Sequence, residues 1–320
     1  MSAAFDAEKT EEFDPIVTLP PDLVVDDMVV GQSAETWHLP RDVWRPIRNR
    51  VTGRGVRVAV LDTGIADHPD LPKPIATRSF ISGQSVQDGN SHGTHCAGTV
   101  LARDEDIGVA PDAELIVGKV LSNQGSGSSS GIAAGMEWAI EQGADVISMS
   151  LGGGSPYQPT IDAIRKAMDM GIWVVVAAGN SGFNGSSNSI GYPARSGESV
   201  CTGAVQQNGQ IAGFSSGGSQ LIWACPGQQI LSTSNRGSGY AFMSGTSMAT
   251  PFGAGLAALI IELVRREGSR RYTGKESIFA FIQKIARDAG KPGHDPSFGH
   301  GIPVADQIIK LLAQDDLSWL

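Results

Sequence analysis

The stretch VRVAVLDTG, residues 56–64, decides the fold. Val56, Val58 and Val60 are β-branched, and the run from Val58 to Leu61 is apolar without alternation. A short apolar run closed by Thr63–Gly64 predicts a strand buried on both faces, as in a parallel sheet. Three more runs repeat the signal: ELIVGKVL (114–121), ADVISMSL (144–151) and GIWVVVAAG (171–179). Between them, SSGIAAGMEWAIEQG (129–143) and PTIDAIRKAMDMG (159–171) space their apolar residues like helices, and both end at glycine. Strands alternating with helices imply an α/β fold: a doubly wound, mainly parallel sheet with helices on both faces. Chemistry is then expected at the carboxyl ends of the strands.

Outward from this centre the pattern changes. Residues 183–245 are short strand-like runs separated by Gly, Ser and Asn, and TSMATPFGAGLAALIIELVRREG (246–268) reads as a mostly apolar, buried helix. Residues 1–35 show little periodicity and read as an acidic extension outside the main domain. The expected organisation is that extension, a catalytic body over 36–312 and a short tail over 313–320. No internal repeat is found.

The chain has 320 residues, is 41% hydrophobic and carries a formal charge of −9, which argues against nucleic acid as the main partner. Residues 1–30 hold eight acids against Lys9 alone, so the remainder is close to neutral. An arginine-rich segment follows, with Arg41, Arg45, Arg48, Arg50, Arg54 and Arg57. Cys96, Cys201 and Cys225 form no C-x-x-C, and the acidic start lacks a charged-then-apolar signal pattern. Reduced thiols in a cytoplasmic protein are the simplest expectation. The apolar run LAALIIELV is short for a bilayer and ends at Arg265–Arg266, so no membrane partner is expected.

D-T-G, at Asp62–Gly64, is also the triplet of aspartic proteases. Those need two carboxylates sharing a proton, and this chain holds the triplet once. Two other stretches lie in comparable settings, NSHGTHCAG (90–98) and SGTSMATP (244–251). The second puts Ser247 where the long helix begins, with unpaired N–H groups and a partial positive field nearby. A histidine can take the serine proton, and an aspartate can hold that histidine in the correct tautomer. Singly, each has a plain reading: a helix cap, a packed histidine, a turn aspartate. Together they point to nucleophilic catalysis.

In the order Asp…His…Ser, VAVLDTGIADHPDL, SHGTHCAGT and GTSMATPFGAGLAAL resemble the subtilisin-like serine proteases, or subtilases, over roughly residues 36–310. The resemblance implies that Asp62 orients the histidine, His92 is the general base, and Ser247 is the nucleophile, while His95 packs. In VVVAAGNSG (174–182) it makes the Asn180 amide a donor to the oxyanion. It also implies protein or peptide substrates, bound as an added strand between Gly125, Ser126 and Gly127 and the segment Ser150, Leu151 and Gly152. Gly191 should floor the pocket for the residue before the scissile bond (P1), leaving room for Phe, Leu or Met. Ser129, where many relatives carry an aromatic lid, should leave P4 selectivity loose.

Three departures qualify this. The connection VLARDEDIGVAP (100–111) is shorter than the calcium loop of secreted members, and Gln220 and Ile222 stand where a second site has acids. Asp70 is the one carboxylate kept from the first site. Neither familiar calcium site is expected to survive, although Asp104, Glu105 and Asp106 offer another set of oxygens. The chemistry itself requires no cofactor. Cys96 follows His92 by four residues, as in proteinase K-like members, and is expected to pack near the triad as a thiol; no disulfide is expected. Finally, the short extension resembles that of intracellular subtilisins, in which DPIVTLPPDLVV (14–25) would lie in the substrate groove as an intramolecular inhibitor, with Pro20–Pro21 hindering cleavage. Analogy with such members also suggests a homodimer. Two alternative readings compete with this one. A catalytically silent binding protein should lack one of the four site residues, and a nucleotide-binding protein using SLGGGSP lacks the G-x-G-x-x-G and P-loop spacings.

Overall fold

The structure, a computed structural model, describes residues 14–19, 24–29, 36–266 and 274–312. The tail expected at 313–320 lies outside the described residues. Two short strands come first, β1 (Ile16–Thr18) and β2 (Val24–Val29), then helix α1 (Arg41–Arg48). The body continues with β3 (Arg57–Asp62), β4 (Ala76–Ser79), α2 (His92–Leu101), β5 (Glu114–Lys119), β6 (Ser126–Ser128) and α3 (Ser129–Glu141). Next are β7 (Val146–Met149), α4 (Gln158–Asp169), β8 (Trp173–Ala177), β9 (Val200–Val205) and β10 (Leu221–Pro226). The chain ends with β11 (Ile230–Thr233), β12 (Tyr240–Ser244), α5 (Thr246–Arg266), α6 (Lys275–Ile285), β13 (Ala286–Arg287), β14 (Ile302–Pro303) and α7 (Ala305–Leu312).

Seven strands form one parallel sheet in the order β10-β9-β8-β7-β3-β5-β4. Helices α2 and α5 pack on one face, and α3 and α4 on the other. This is the doubly wound α/β architecture expected from the sequence. Every residue of β7, β8, β9 and β10 is buried, which is why these strands are apolar without alternation. Helices α3 and α4 stop just before Gly143 (φ +74°) and Gly171 (φ +81°), the left-handed positions that glycine adopts without a Cβ penalty. The strands are shorter than their apolar runs. ADVISMSL, for instance, pairs only over Val146–Met149, because Ser150 and Leu151 leave the sheet to build the groove wall.

Helix α5 is the centre of the core, with every side chain from Thr246 to Val264 buried. Close packing explains its glycines: a Cβ on Gly253 would come within 2.7 Å of the Trp223 ring, and one on Gly255 within 2.5 Å of Val109. The sequence reading took its apolar run as too short for a membrane. The helix is 21 residues and is long and apolar enough to cross one by length and composition. Its apolar window is wholly buried inside the protein, so the hydrophobicity serves the core.

Where residues 1–35 are described, they lie against the body. Strand β1 pairs antiparallel with β6, and β2 joins β11 and β12 in a three-stranded sheet.

Candidate functional site

Asp62 is the last residue of β3, in the middle of the sheet. Its Oδ1 accepts from Nδ1 of His92 at 2.7 Å and from the Thr63 N–H at 2.7 Å. The rest of the triplet fixes this contact. The Thr63 hydroxyl donates to Asp88 at 2.9 Å and accepts from the Gly93 N–H at 2.8 Å, tying the strand end to the first turn of α2. Gly64 has φ +109°, and a Cβ there would meet the Val86 carbonyl at 2.2 Å. A Cβ on Gly93 would meet the Gly64 carbonyl at 2.4 Å. D-T-G and H-G-T-H are thus two halves of one junction.

Asp88 is a residue that the sequence reading missed. Its carboxylate accepts from the N–H groups of Asn90, Ser91 and Thr94 at 2.9–3.0 Å and from the hydroxyls of Thr63 and Thr94 at 2.9 and 2.6 Å. It therefore caps the start of α2 and sets the position of His92. Burial opposes its charge, but the bonds from Thr94, Asn90 and Ser91 outweigh that and hold the carboxyl below its ordinary range. An aspartate four residues before the histidine, at a helix start, was the available signal.

His92 is fully buried. Burial works against its protonated form; the Asp62 carboxylate first, with Cys96 beside it, more than reverses this and raises the imidazole well above 6.5. His95, one turn on, points elsewhere: its Nε2 lies 3.0 Å from both the Ile230 and the Ala241 carbonyls, and burial lowers it to about 3. The Cys96 sulfur lies 3.9 Å from Nδ1 of His92 and 3.5 Å from the Ser247 carbonyl. Burial pushes this thiol up, as it does those of Cys201 and Cys225, so all three are thiols rather than thiolates.

Ser247 is the second residue of α5, and its carbonyl accepts from the Ser150 hydroxyl at 2.8 Å. Its own hydroxyl donates to the Ser150 carbonyl at 3.4 Å and makes no hydrogen bond to His92. The Asn180 Oδ1 accepts both the N–H and the hydroxyl of Thr246 at 2.9 Å. That fixes the amide and leaves Nδ2 buried without a protein partner among the described residues. Nε2 of His92 is in the same state. Asp62 Oδ2 is a third such atom; buried polar groups are nearly always paired, so unpaired groups gathered on residues of one site suit a place for a reacting molecule.

Of the residues expected to bind substrate, Ser126 and Gly127 pair with β1 on one side and Gly152 bridges Thr18 on the other, so residues 16–18 run between two segments of the body. Thr18 exchanges bonds with Gly152 at 3.3 and 3.5 Å, and the Leu19 N–H donates to Gly125 at 2.8 Å. The Pro15 carbonyl accepts from the Ser129 N–H and hydroxyl at 2.9 and 2.8 Å, and Asp14 accepts from the Ser130 N–H. Val17 is buried in a recess with Ile132, Tyr157 and Tyr192. Beyond Thr18 a cleft of about 320 Å³ opens between Gly152–Gly154 and Gly191, reaching Asn180. Gly191 lines this cleft.

The residues near the shortened loop do not fit calcium. Its carbonyls at Glu105 and Gly108 accept from the Arg48 guanidinium, and the Asp106 carboxylate is gripped by Arg41 at 2.7 and 2.5 Å. Asp70 accepts from the Asp104 N–H at 2.9 Å, and Gln220 accepts from the Asn188 amide. Asp104, Glu105 and Asp106 do not gather into a ligand set; among the described residues the one such group is Asp62, His92 and Cys96.

Comparison with known proteins agrees with this geometry. The chain is 45% identical to M-protease of Shouchella clausii over 256 residues, 78% of this chain and 65% of the relative, so it spans just under two thirds of that protein. It is 49% identical to Subtilisin DY of Bacillus licheniformis over 214 residues, 65% of this chain and 77% of the relative. It is 48% identical to Subtilisin Savinase of Lederbergia lenta over 229 residues, 70% and 83% respectively. The Subtilase family model matches residues 53–301, from the loop before β3 to the turn before β14, and the chain belongs to that family.

Proposed function

We propose that the protein is a serine endopeptidase and that residues 14–25 hold it shut. The observation that carries the first part is the convergence of an aspartate-bound His92 with a free Nε2, an Asn180 amide with a free Nδ2, and Ser247 at the start of α5. For reaction the Ser247 hydroxyl turns from the Ser150 carbonyl to His92, which removes its proton as the oxygen attacks a peptide carbonyl. Asp62 holds Nδ1 and steadies the imidazolium. The Asn180 amide and the N–H of Ser247 receive the oxyanion, His92 returns the proton to the leaving amine, and water releases the acyl-enzyme. Every group required comes from the chain, without a cofactor. The cleft with its glycine walls supports large apolar P1 residues.

Support for inhibition lies in the direction and depth of β1. A strand added between β6 and Gly152, with Val17 seated in a side-chain recess, uses the contacts a substrate needs. The next residues in sequence are Pro20 and Pro21, outside the described residues. The buried, unpaired thiols support a reducing compartment as its place of action. We also infer that Arg41 and Arg48 supply the positive charge that calcium gives related loops.

Fluorophosphonate labelling tests both parts in the full chain. Ser247→Ala should abolish labelling, and Val17→Asp, which puts a charge into an apolar recess, should speed it at least tenfold. Absence of labelling in folded Val17→Asp and wild type alike overturns the peptidase reading. Equal, rapid labelling of both overturns the inhibition.

A further inference from the structure

We propose that Arg195 makes the P1 cleft accept an acidic side chain, glutamate above all, alongside the large apolar ones. This rests on the peptidase reading and narrows its substrates to peptides with a carboxylate at P1 as a distinct, favoured class. Of the residues lining the cleft, Arg195 alone carries charge; the others are glycines, Thr18, Asn180, Ser181, Ser189 and Ile190. The glycines leave the space open: a Cβ on Gly154 would meet nothing within 4 Å, and one on Gly191 would stand 3.4 Å from the Gly153 carbonyl.

The arginine is held at its base and free at its tip. Its N–H donates to the Gly191 carbonyl at 2.8 Å, inside the short turn Ala194–Ser196 that follows the cleft floor. The guanidinium lies over the Tyr192 ring, 5.9 Å from its centre. It has no carboxylate partner among the described residues. Glu198, three residues on, is spent on Arg165 at 3.3 Å and Lys275 at 2.7 Å. An arginine whose fork is uncommitted, anchored beside a recess without acids, is a ready partner for a carboxylate entering that recess. Because Arg195 is exposed, solvent and salt screen the attraction, so the preference should be severalfold rather than absolute.

The test is competition between two peptides differing only in Glu or Gln at P1, with a Phe peptide as control, cleaved by the full chain. The ratio of kcat/KM values in one mixture does not depend on what fraction of chains has an open groove. Wild type should prefer Glu over Gln by about two- to fivefold at low salt, falling toward one near 1 M salt. Arg195→Gln should remove the preference and its salt dependence, and Arg195→Glu should reverse it. A wild-type ratio of one, or a preference unchanged in Arg195→Gln, overturns the inference while leaving the peptidase. Cleavage of none of the three peptides overturns the peptidase reading and this inference with it.

Discussion

His92 gains its basicity from its neighbours, the Asp62 carboxylate first and Cys96 after it. Burial alone would lower the imidazole, and the Asp62 carboxylate at 2.7 Å reverses the sign. Catalysis needs the neutral ring, so a raised value moves the acid limb of kcat/KM upward. The profile should rise with pH as a single ionisation whose midpoint lies above 6.5. Asp62→Asn removes the largest influence that opposes burial: the midpoint should fall below that of wild type, and kcat should drop by about 10⁴-fold, a magnitude known for such triads rather than read from this chain. A wild-type midpoint near 5, or an Asp62→Asn profile unmoved from it, contradicts the assignment. Asn180 and His92 were legible in the sequence as residue types at the right places. Their unpaired nitrogens were not, since that depends on Thr246 taking the other end of the amide.

The unit of construction at the next scale is the β3–α2 junction, where two short motifs meet through backbone contact. Gly93→Ala would drive a methyl into the Gly64 carbonyl, which has no flexible side chain to move aside. The variant should lose about 2–4 kcal/mol, measured by urea unfolding, and its activity should fall further than stability alone explains, because His92 rides on the same turn. A fully stable, fully active Gly93→Ala enzyme would falsify this account of the motif. The loop over residues 102–109 gives a second case. Arg48 reaches its carbonyls from α1, so Arg48→Ala should lower the melting temperature by several degrees, about 1–3 kcal/mol, while EGTA leaves wild type unchanged. A large EGTA effect on wild type would restore the cation. The sequence showed arginines clustered before this loop. It did not show that the two belong together, because a pairing across 57–65 positions leaves no local pattern.

For the molecule as a whole, the parallel sheet was legible because strands buried on both faces must be apolar throughout, and α5 because a helix buried all round must be too. The placement of β1 was legible only through the family resemblance, since IVT is too short for periodicity and takes its form from the segments it pairs with. The same burial that makes the core readable also stores neutral histidines in it. His38 and His95 are both fully buried, and burial lowers each from 6.5 to about 3. Between those values the unfolded chain binds protons that the folded one refuses, so stability rises with pH across that window and is lost as the solution is acidified. Each histidine contributes a slope of roughly 1 kcal/mol per pH unit. Asp88, held low, adds to the loss only below about 3.8. His92, held high, acts in the opposite sense and above 6.5, where its contribution fades as pH rises through its folded value. Urea midpoints should therefore fall steadily from pH 6.5 toward pH 4. His38→Phe, which keeps an aromatic ring against Phe252, should about halve the slope. Midpoints flat over that interval, or a slope untouched by His38→Phe, would mean that these rings are protonated in the fold and that their surroundings are wetter than the packing implies.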